Sequence, residues 1–293
     1  MSTTRSELRG LVASAAPARA RPGTLSRAWV HVPLALVAVA LLVPLWWMVV
    51  ISFTPPAEIL RPGLSLWTTH PTLQNYADVA QRLPLARLFL NSLIMTAGVT
   101  AGQLGLSVLA AYGFVRSRFP GRDLAFFLLV ATIVLPPIVT MIPVYVALAR
   151  LHGINTYWGL ILPQWAGCGF GVFLLRQHIG AIPEAIFEAA HLDGAGDGYV
   201  LRRVVLPLLQ PSSAALGLLV LLNTWNEYFW PLLMAPATSM HTVQTGIAQF
   251  LGEGAELWGP LTAASTVVCA PVVVAYLIWQ RQIIETFVAS AGR

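Results

Sequence analysis

Lysine is absent from this chain: all 17 cationic side chains among its 293 residues are arginine. A P-loop is thereby excluded, because its lysine is the group that reaches the nucleotide phosphates. Charge of either sign is also scarce, at 10% of residues, against roughly a quarter in a soluble domain. With 57% hydrophobic residues and a mean hydropathy of +0.71, the chain takes lipid as its solvent. Only two cysteines occur, Cys168 and Cys269, each in an apolar stretch, which excludes a disulfide framework and a cysteine metal site; both read as packing residues. The six histidines show no H-E-x-x-H spacing, and neither a nucleophile elbow nor paired carboxylates support an enzyme. The net charge of +5 does not point to nucleic acid, because the arginines are scattered between apolar runs instead of forming a basic block with interleaved aromatics.

What is present is a series of long apolar runs. A hydrocarbon core about 30 Å thick takes about 20 helical residues, and six runs meet or approach that length: Val30–Phe53, Leu88–Val115, Leu124–Ala149, Tyr157–Leu175, Pro211–Met234 and Leu261–Gln280. The first is too long for the apolar core of a signal peptide, so it is expected as a retained span. The fourth is interrupted by Gly159, Pro163, Gly167, Gly169 and Gly171, small residues that let neighbouring backbones approach, which places it inside the bundle. Pro136-Pro137 removes two backbone donors from the third run and is expected to kink it. The fold expected is an all-α integral membrane protein of six transmembrane helices over residues 29–293, preceded by a solvated cytoplasmic tail at 1–28.

Short cytoplasmic loops collect arginine. With the N-terminus inside, Arg5, Arg9, Arg19, Arg21, Arg27, Arg116, Arg118, Arg122, Arg176, Arg202, Arg203, Arg281 and Arg293 are cytoplasmic, and only Arg61, Arg82, Arg87 and Arg150 lie outside. Both termini are therefore expected in the cytoplasm. Two external connections are long, Thr54–Arg87 and Ala235–Pro260, and their Trp67, Tyr76 and Trp258 fit either an interfacial aromatic belt or a docking surface for an external partner.

The longest cytoplasmic connection, Arg176 to Pro207, contains an elbow at 183–206. Pro183 suits the first turn of a helix, and Glu184 and Glu188 stand one turn apart near its start, where negative charge meets the helix dipole. Asp193-Gly194 ends that helix, since glycine accepts the left-handed conformation of a tight stop. A second short helix is expected from about Asp197 to Leu206. Ala185, Ala189 and Ala190 keep the first helix slim, suited to a protein cleft with Glu188 facing a cation there. The same segment also fits an amphipathic helix lying on lipid headgroups, although such a helix carries more cations on its polar face.

Glu188-Ala189-Ala190-His191-Leu192-Asp193-Gly194-Ala195, followed at a fixed distance by Leu206-Pro207, resembles the EAA loop of inner-membrane permease subunits in binding-protein-dependent ABC importers. Leu73-Gln-Asn75-Tyr76, Asn91-Ser92-Leu93, Ala110-Ala-Tyr112, Leu135-Pro136-Pro137, Asn155-Thr-Tyr157-Trp158 and Trp225-Asn226-Glu227-Tyr228-Phe-Trp230-Pro231 are similar to the carbohydrate-uptake branch and its maltose-type second permease subunit. The resemblance runs from about residue 29 to the C-terminus; His191 and the stretch Thr286–Arg293 depart from the pattern.

The resemblance implies a permease subunit that translocates a sugar or oligosaccharide across the bacterial inner membrane and carries no cofactor of its own. It further implies a second permease subunit as heterodimer partner, two ATPase subunits holding ATP and Mg, and an external solute-binding protein. Coupling to the ATPases is then expected at Glu188, Ala189, Ala190, Asp193, Gly194 and Ala195. Polar groups inside a span are costly in lipid and usually face a cavity or the bundle interior, so Asn223, Trp225, Asn226 and Glu227 of the fifth run are the candidate solute path, with helix–helix contact as the plainer reading. The alternative is an ion-coupled secondary transporter, which should show inverted repeats and midplane carboxylates; Glu227 is its one candidate.

Overall fold

The computed structural model describes the backbone of residues 24–59, 66–252 and 257–291, and no strand occurs among them. Most of the expected tail at 1–28 lies outside the described residues, as do the last two residues of Thr286–Arg293. Two compact units divide the chain, Met1–Trp47 and Met48–Arg293.

In the first unit, helix α1 (Thr24–Ser52) runs past the boundary into the second. Every described side chain from His31 to Trp47 is exposed, Leu34 at 60% and Leu41 at 70%. A helix that is apolar all round needs lipid or neighbouring helices, never water.

The second unit begins with two short helices, α2 (Pro56–Ile59) and α3 (Gln74–Arg82), in the first long connection. Asn75 holds α3 down: it is fully buried and its amide donates to the Ser52 and Thr54 carbonyls. Helix α4 (Leu85–Arg116) follows, 32 residues without a proline. Helices α5 (Arg122–Ala131) and α6 (Pro137–Arg150) form the third expected span, but they are bent by 102°. This corrects the expected kink to a break. Leu135 and Pro136 each precede a proline, which pushes both out of the helical region; Leu135 sits at ψ 122° and Pro136 at ψ 127°.

The fourth span is α7 (Tyr157–Ile161), a 3₁₀ stretch Leu162–Cys168 and α8 (Gly169–Gly180). It packs along α4 at small residues: a Cβ on Gly102 would collide with the Trp165 indole and one on Gly171 with Ser107. Trp165 donates its indole N–H to the Gly98 carbonyl at 3.0 Å, so the close approach also satisfies a buried donor.

Next come α9 (Glu184–Leu192), α10 (Asp197–Val200), a π turn at Leu201–Val205, α11 (Leu206–Leu208) and α12 (Gln210–Trp225). Pro207 cannot donate to the Arg203 carbonyl, and the turn before it widens. The segment Asp197–Leu208 meets α12 at 77°. The expected fifth span, Pro211–Met234, is not one helix: it ends at Trp225, and α13 (Phe229–Met234) starts afresh. In an unbroken helix Pro231 would clash with the Glu227 carbonyl; in the first turn of α13 its missing N–H costs nothing. Helices α14 (Val243–Ala248) and α15 (Trp258–Ala291) complete the chain. Cys168 packs against the core, while Cys269 is exposed on α15.

Four helices are long and apolar enough to cross a bilayer, His31–Ser52, Leu85–Arg116, Tyr157–Gly180 and Trp258–Ile278, and the two bent pairs bring the number to six if each is one span. Three buried clusters hold the second unit. One joins α4, α8, the elbow and α12 through Tyr112, Val172, Leu175, Phe187 and Leu216. The second gathers Val79, Leu88, Trp225, Val243 and Val268, and the third Met95, Val99, Leu160, Trp230 and Met234.

Candidate functional site

Helix α9 starts after Pro183, which sits outside it at φ −57° and ψ 132°, one residue earlier than a first-turn position. It ends at Asp193. Gly194 follows at φ +78°, its N–H donating to the His191 carbonyl at 3.0 Å while that of Ala195 donates to the Ala190 carbonyl at 2.9 Å. Those two bonds are the paired C-terminal cap that a left-handed glycine permits. Ala190 and Ala195 pack against the same core cluster, so the turn is held by apolar contact as well.

One face of α9 is anchored. Phe187 is 1% exposed, a burial worth about 1.5–3 kcal/mol. Arg116, at the end of α4, stacks its guanidinium 4.2 Å from the Phe187 ring centroid and donates through Nη1 to Glu184 Oε1 and Oε2 at 2.7 and 2.8 Å. Because the Glu184 side chain is 63% exposed, solvent limits that ion pair to under about 1 kcal/mol; the stacking adds a similar amount. Tyr112, one turn before Arg116, donates its hydroxyl to the Asp197 carboxylate at 3.3 Å and to the Asp197 carbonyl at 3.4 Å.

The other face is open. Glu188, Ala189, Asp193 and Gly194 are exposed, and Ala190 and Ala195 are half-buried. The Glu188 side chain has no hydrogen bond or ion pair among the described residues. Leu192 is 89% exposed, Tyr199 61% and Ile186 39%. Exposed apolar side chains among polar ones, on a segment fixed from behind, suit a protein docking surface.

The structure separates one of the candidate path residues, Trp225, from the other three. Asn223 and Asn226 are exposed, three apart on one face of α12, and Glu227 is half-buried at the break. Asn226 donates to the Leu222 carbonyl and accepts from Gln244 at 3.4 Å. The Glu227 carboxylate accepts the Trp230 N–H at 3.1 Å, satisfying a donor that the start of α13 leaves open. Trp225 is turned away from them: it is 4% exposed, donates to the Val268 carbonyl at 3.3 Å and packs on Phe89. It offers no stacking face to a solute.

Sequence reasoning missed the partners of the elbow. Arg116 entered only as a topology charge and Tyr112 only as part of a motif. Their spacing of four at a helix end, which puts both on one face, was the available signal. Most other polar motif residues tie connections together: Asn91 donates to the Ser239 and His241 carbonyls and accepts the Tyr157 hydroxyl, Asn155 accepts the Ala237 N–H, and Thr156 caps α7.

Among the described residues the chain is an apolar, all-helical bundle with a helical elbow braced against a 32-residue span, the architecture of a membrane transport component. Residues 103–286 match the family of binding-protein-dependent transport system inner membrane components, and the chain belongs to that family. It is 32% identical over 268 residues to the sn-glycerol-3-phosphate transport system permease protein UgpE of Pectobacterium atrosepticum, covering 89% of this chain and 95% of that one. The probable ABC transporter permease protein YurM of Bacillus subtilis is 32% identical over 259 residues, covering 88% and 85%. In fold, the chain superposes on a bacterial ABC transporter involved in import of the acidic polysaccharide alginate with a TM-score of 0.76 at 22% identity, over 96% of this chain and 99% of that one. The alginate transporter in complex with a pentasaccharide-bound periplasmic protein gives 0.62 at 17% identity, over 88% and 94%. This chain is thus an inner-membrane permease subunit of an ABC importer, a transport component and not itself an ATPase. The ion-coupled alternative is set aside.

Proposed function

We propose that the chain is the second permease subunit of a carbohydrate importer of the maltose type, crossing the membrane six times with both termini cytoplasmic. It pairs with another permease, receives solute from an external binding protein, and rests on two ATPase copies that hold ATP and Mg. The elbow Glu188–Ala195 is its coupling contact. When the ATPases close, the elbow is displaced and the bundle turns from inward-facing to outward-facing.

The observation that carries this reading is the two-faced α9. Phe187 is buried behind it while Glu188 and Leu192 stand exposed in front. The bare Glu188 carboxylate suits a cation in an ATPase cleft, and exposed Leu192 suits the apolar wall of the same cleft. The solute belongs to the polyhydroxylated class for which relatives are named, sn-glycerol-3-phosphate for UgpE and alginate for the structural neighbour: a sugar, an oligosaccharide or a phosphorylated polyol. Asn223, Asn226 and Glu227 meet it along the path, with Trp225 shaping the wall from inside.

A detergent pull-down of the tagged protein, wild type against Glu188→Arg, tests the elbow. Recovery of an ATPase and a second permease with wild type, and loss of the ATPase alone in the variant, is expected. Equal ATPase recovery from both removes the elbow from the contact, and an intact permease that recovers no partner under gentle extraction removes the assembly.

A further inference from the structure

Helix α4 differs from every other candidate span. Pro33 and Pro44 lie inside the first, Pro163 in the fourth and Pro271 inside the last, and the two bent pairs turn by 102° and 77°. Helix α4 alone runs 32 residues with no proline, and the spaces beside its Gly98 and Gly102 are filled by Ile161 and Trp165. Proline, the commonest cause of a sharp kink, is absent from it.

Both ends of that helix are fastened to connections. At one end Arg116 holds Glu184 and Phe187, before the Gly194 turn, and Tyr112 holds Asp197, after it. The two grips bracket the turn, one on each side of Gly194. The Tyr112 contacts, at 3.4 and 3.3 Å, are longer than an ordinary O–H···O bond of about 2.5–3.0 Å, which makes Arg116 the main fastening. At the other end Asn91 donates to the Ser239 and His241 carbonyls at 3.0 and 2.8 Å, Arg87 donates to the Ser239 carbonyl at 3.0 Å, and Ser92 accepts the Val243 N–H at 2.9 Å. Asn91 and Tyr112 are about 32 Å apart along the helix at 1.5 Å per residue, close to the thickness of a hydrocarbon core.

We propose that Arg116 and Tyr112 are positioning residues of the transport cycle, which lock the elbow to α4 so that its displacement is delivered as movement of one rigid helix to the Ser239–Val243 segment on the opposite side of the membrane. The proposal rests on the elbow being the ATPase contact. It adds the chain of transmission: elbow to Arg116 and Tyr112, along α4, to Asn91 and the segment it holds. A coupling route further requires that perturbing one end shifts the other, and that is what the test below measures.

The test uses the permease–ATPase assembly in nanodiscs with ATP plus vanadate as the probe, and amide hydrogen exchange as the readout. In wild type, trapping the nucleotide changes protection both at 184–197 and at 239–243. In the double variant Arg116→Gln, Tyr112→Phe, the response at 184–197 persists while that at 239–243 falls by about fivefold or more, the low end of coupling between distant sites. Exchanging the charges, Arg116→Glu with Glu184→Arg and Tyr112 retained, restores the ion pair without the Phe187 stacking, so the distant response falls between the double variant and wild type. A full response at 239–243 in the double variant overturns the proposal, and so does loss of the response at 184–197, which would make these residues part of ATPase docking. If wild type carries no ATPase, the docking reading fails separately. The grip is then tested on the permease alone, where Arg116→Gln must speed exchange at Ala189–Ala195 by about fivefold while Leu160 is unaffected; an unchanged rate overturns it.

Discussion

Gly194 gives the sharpest test of how the elbow is built. Its φ is +78°, and a Cβ added there meets nothing within 4 Å, so any cost of substitution within this chain is backbone strain and not collision. The left-handed region costs an ordinary L-residue roughly 1–2 kcal/mol, a β-branched residue more, and asparagine little because it enters that region readily. Alanine should therefore cost about 1 kcal/mol and valine about 2 kcal/mol, or about 5-fold and 30-fold in the opening equilibrium of the turn. The Ala195 N–H, bonded to the Ala190 carbonyl at 2.9 Å, reports that opening directly. Its exchange in detergent-solubilised permease should accelerate in the order Asn, Ala, Val, with Gly194→Asn near wild type, and ATP hydrolysis stimulated by the partner assembly should fall in the same order. An order set by side-chain size, with Asn close to Val and Ala mildest, would refute the strain argument. It would make Gly194 a point of close approach to another chain.

Three further outcomes are expected. Gly102→Ala forces a methyl group into the Trp165 indole and should lower thermal stability by about 1–3 kcal/mol, whereas Gly105→Ala, with nothing within 4 Å of the new atom, should be neutral or mildly stabilising; equal effects on the unfolding midpoint would contradict the packing of α4 on Leu162–Cys168. Trp225→Ala should destabilise by about 3 kcal/mol and Asn226→Ala by under about 1 kcal/mol, with uptake by the reconstituted importer altered by the second at unchanged stability; a destabilising Asn226→Ala with normal uptake would return Asn226 to a structural role. In a background with Cys168 and Cys269 replaced by alanine, cysteines at exposed Arg118 and Thr69 should react with an impermeant maleimide from opposite sides of the membrane, and labelling of both from one side would refute the six-span topology.

The helices were legible because their signals are local. Hydropathy over about 20 residues marks a span whatever surrounds it, and the stop of α9 at Asp193-Gly194 follows from a residue type that accepts positive φ. Prolines marked the trouble in the third span, yet not its size. A kink and a 102° break share the same missing donors, and packing against neighbours selects between them. The fifth span was read as too long because its apolar run continues to Met234, while Pro231 requires a fresh start at Phe229.

The sequence by itself determined that this chain lives in lipid, that it holds no P-loop lysine, where its apolar segments lie and where its elbow turns, since each depends on composition or on neighbours within a few residues. Only the tertiary structure decided that Trp225 faces inward to Val268, that Asn91 holds Ser239 across 148 residues, and that Arg116 grips Glu184 across 68. Contacts at such separations depend on how helices pack against one another. A helix of nearly uniform hydrophobicity carries little in its own residue order to say which of its faces will meet which neighbour.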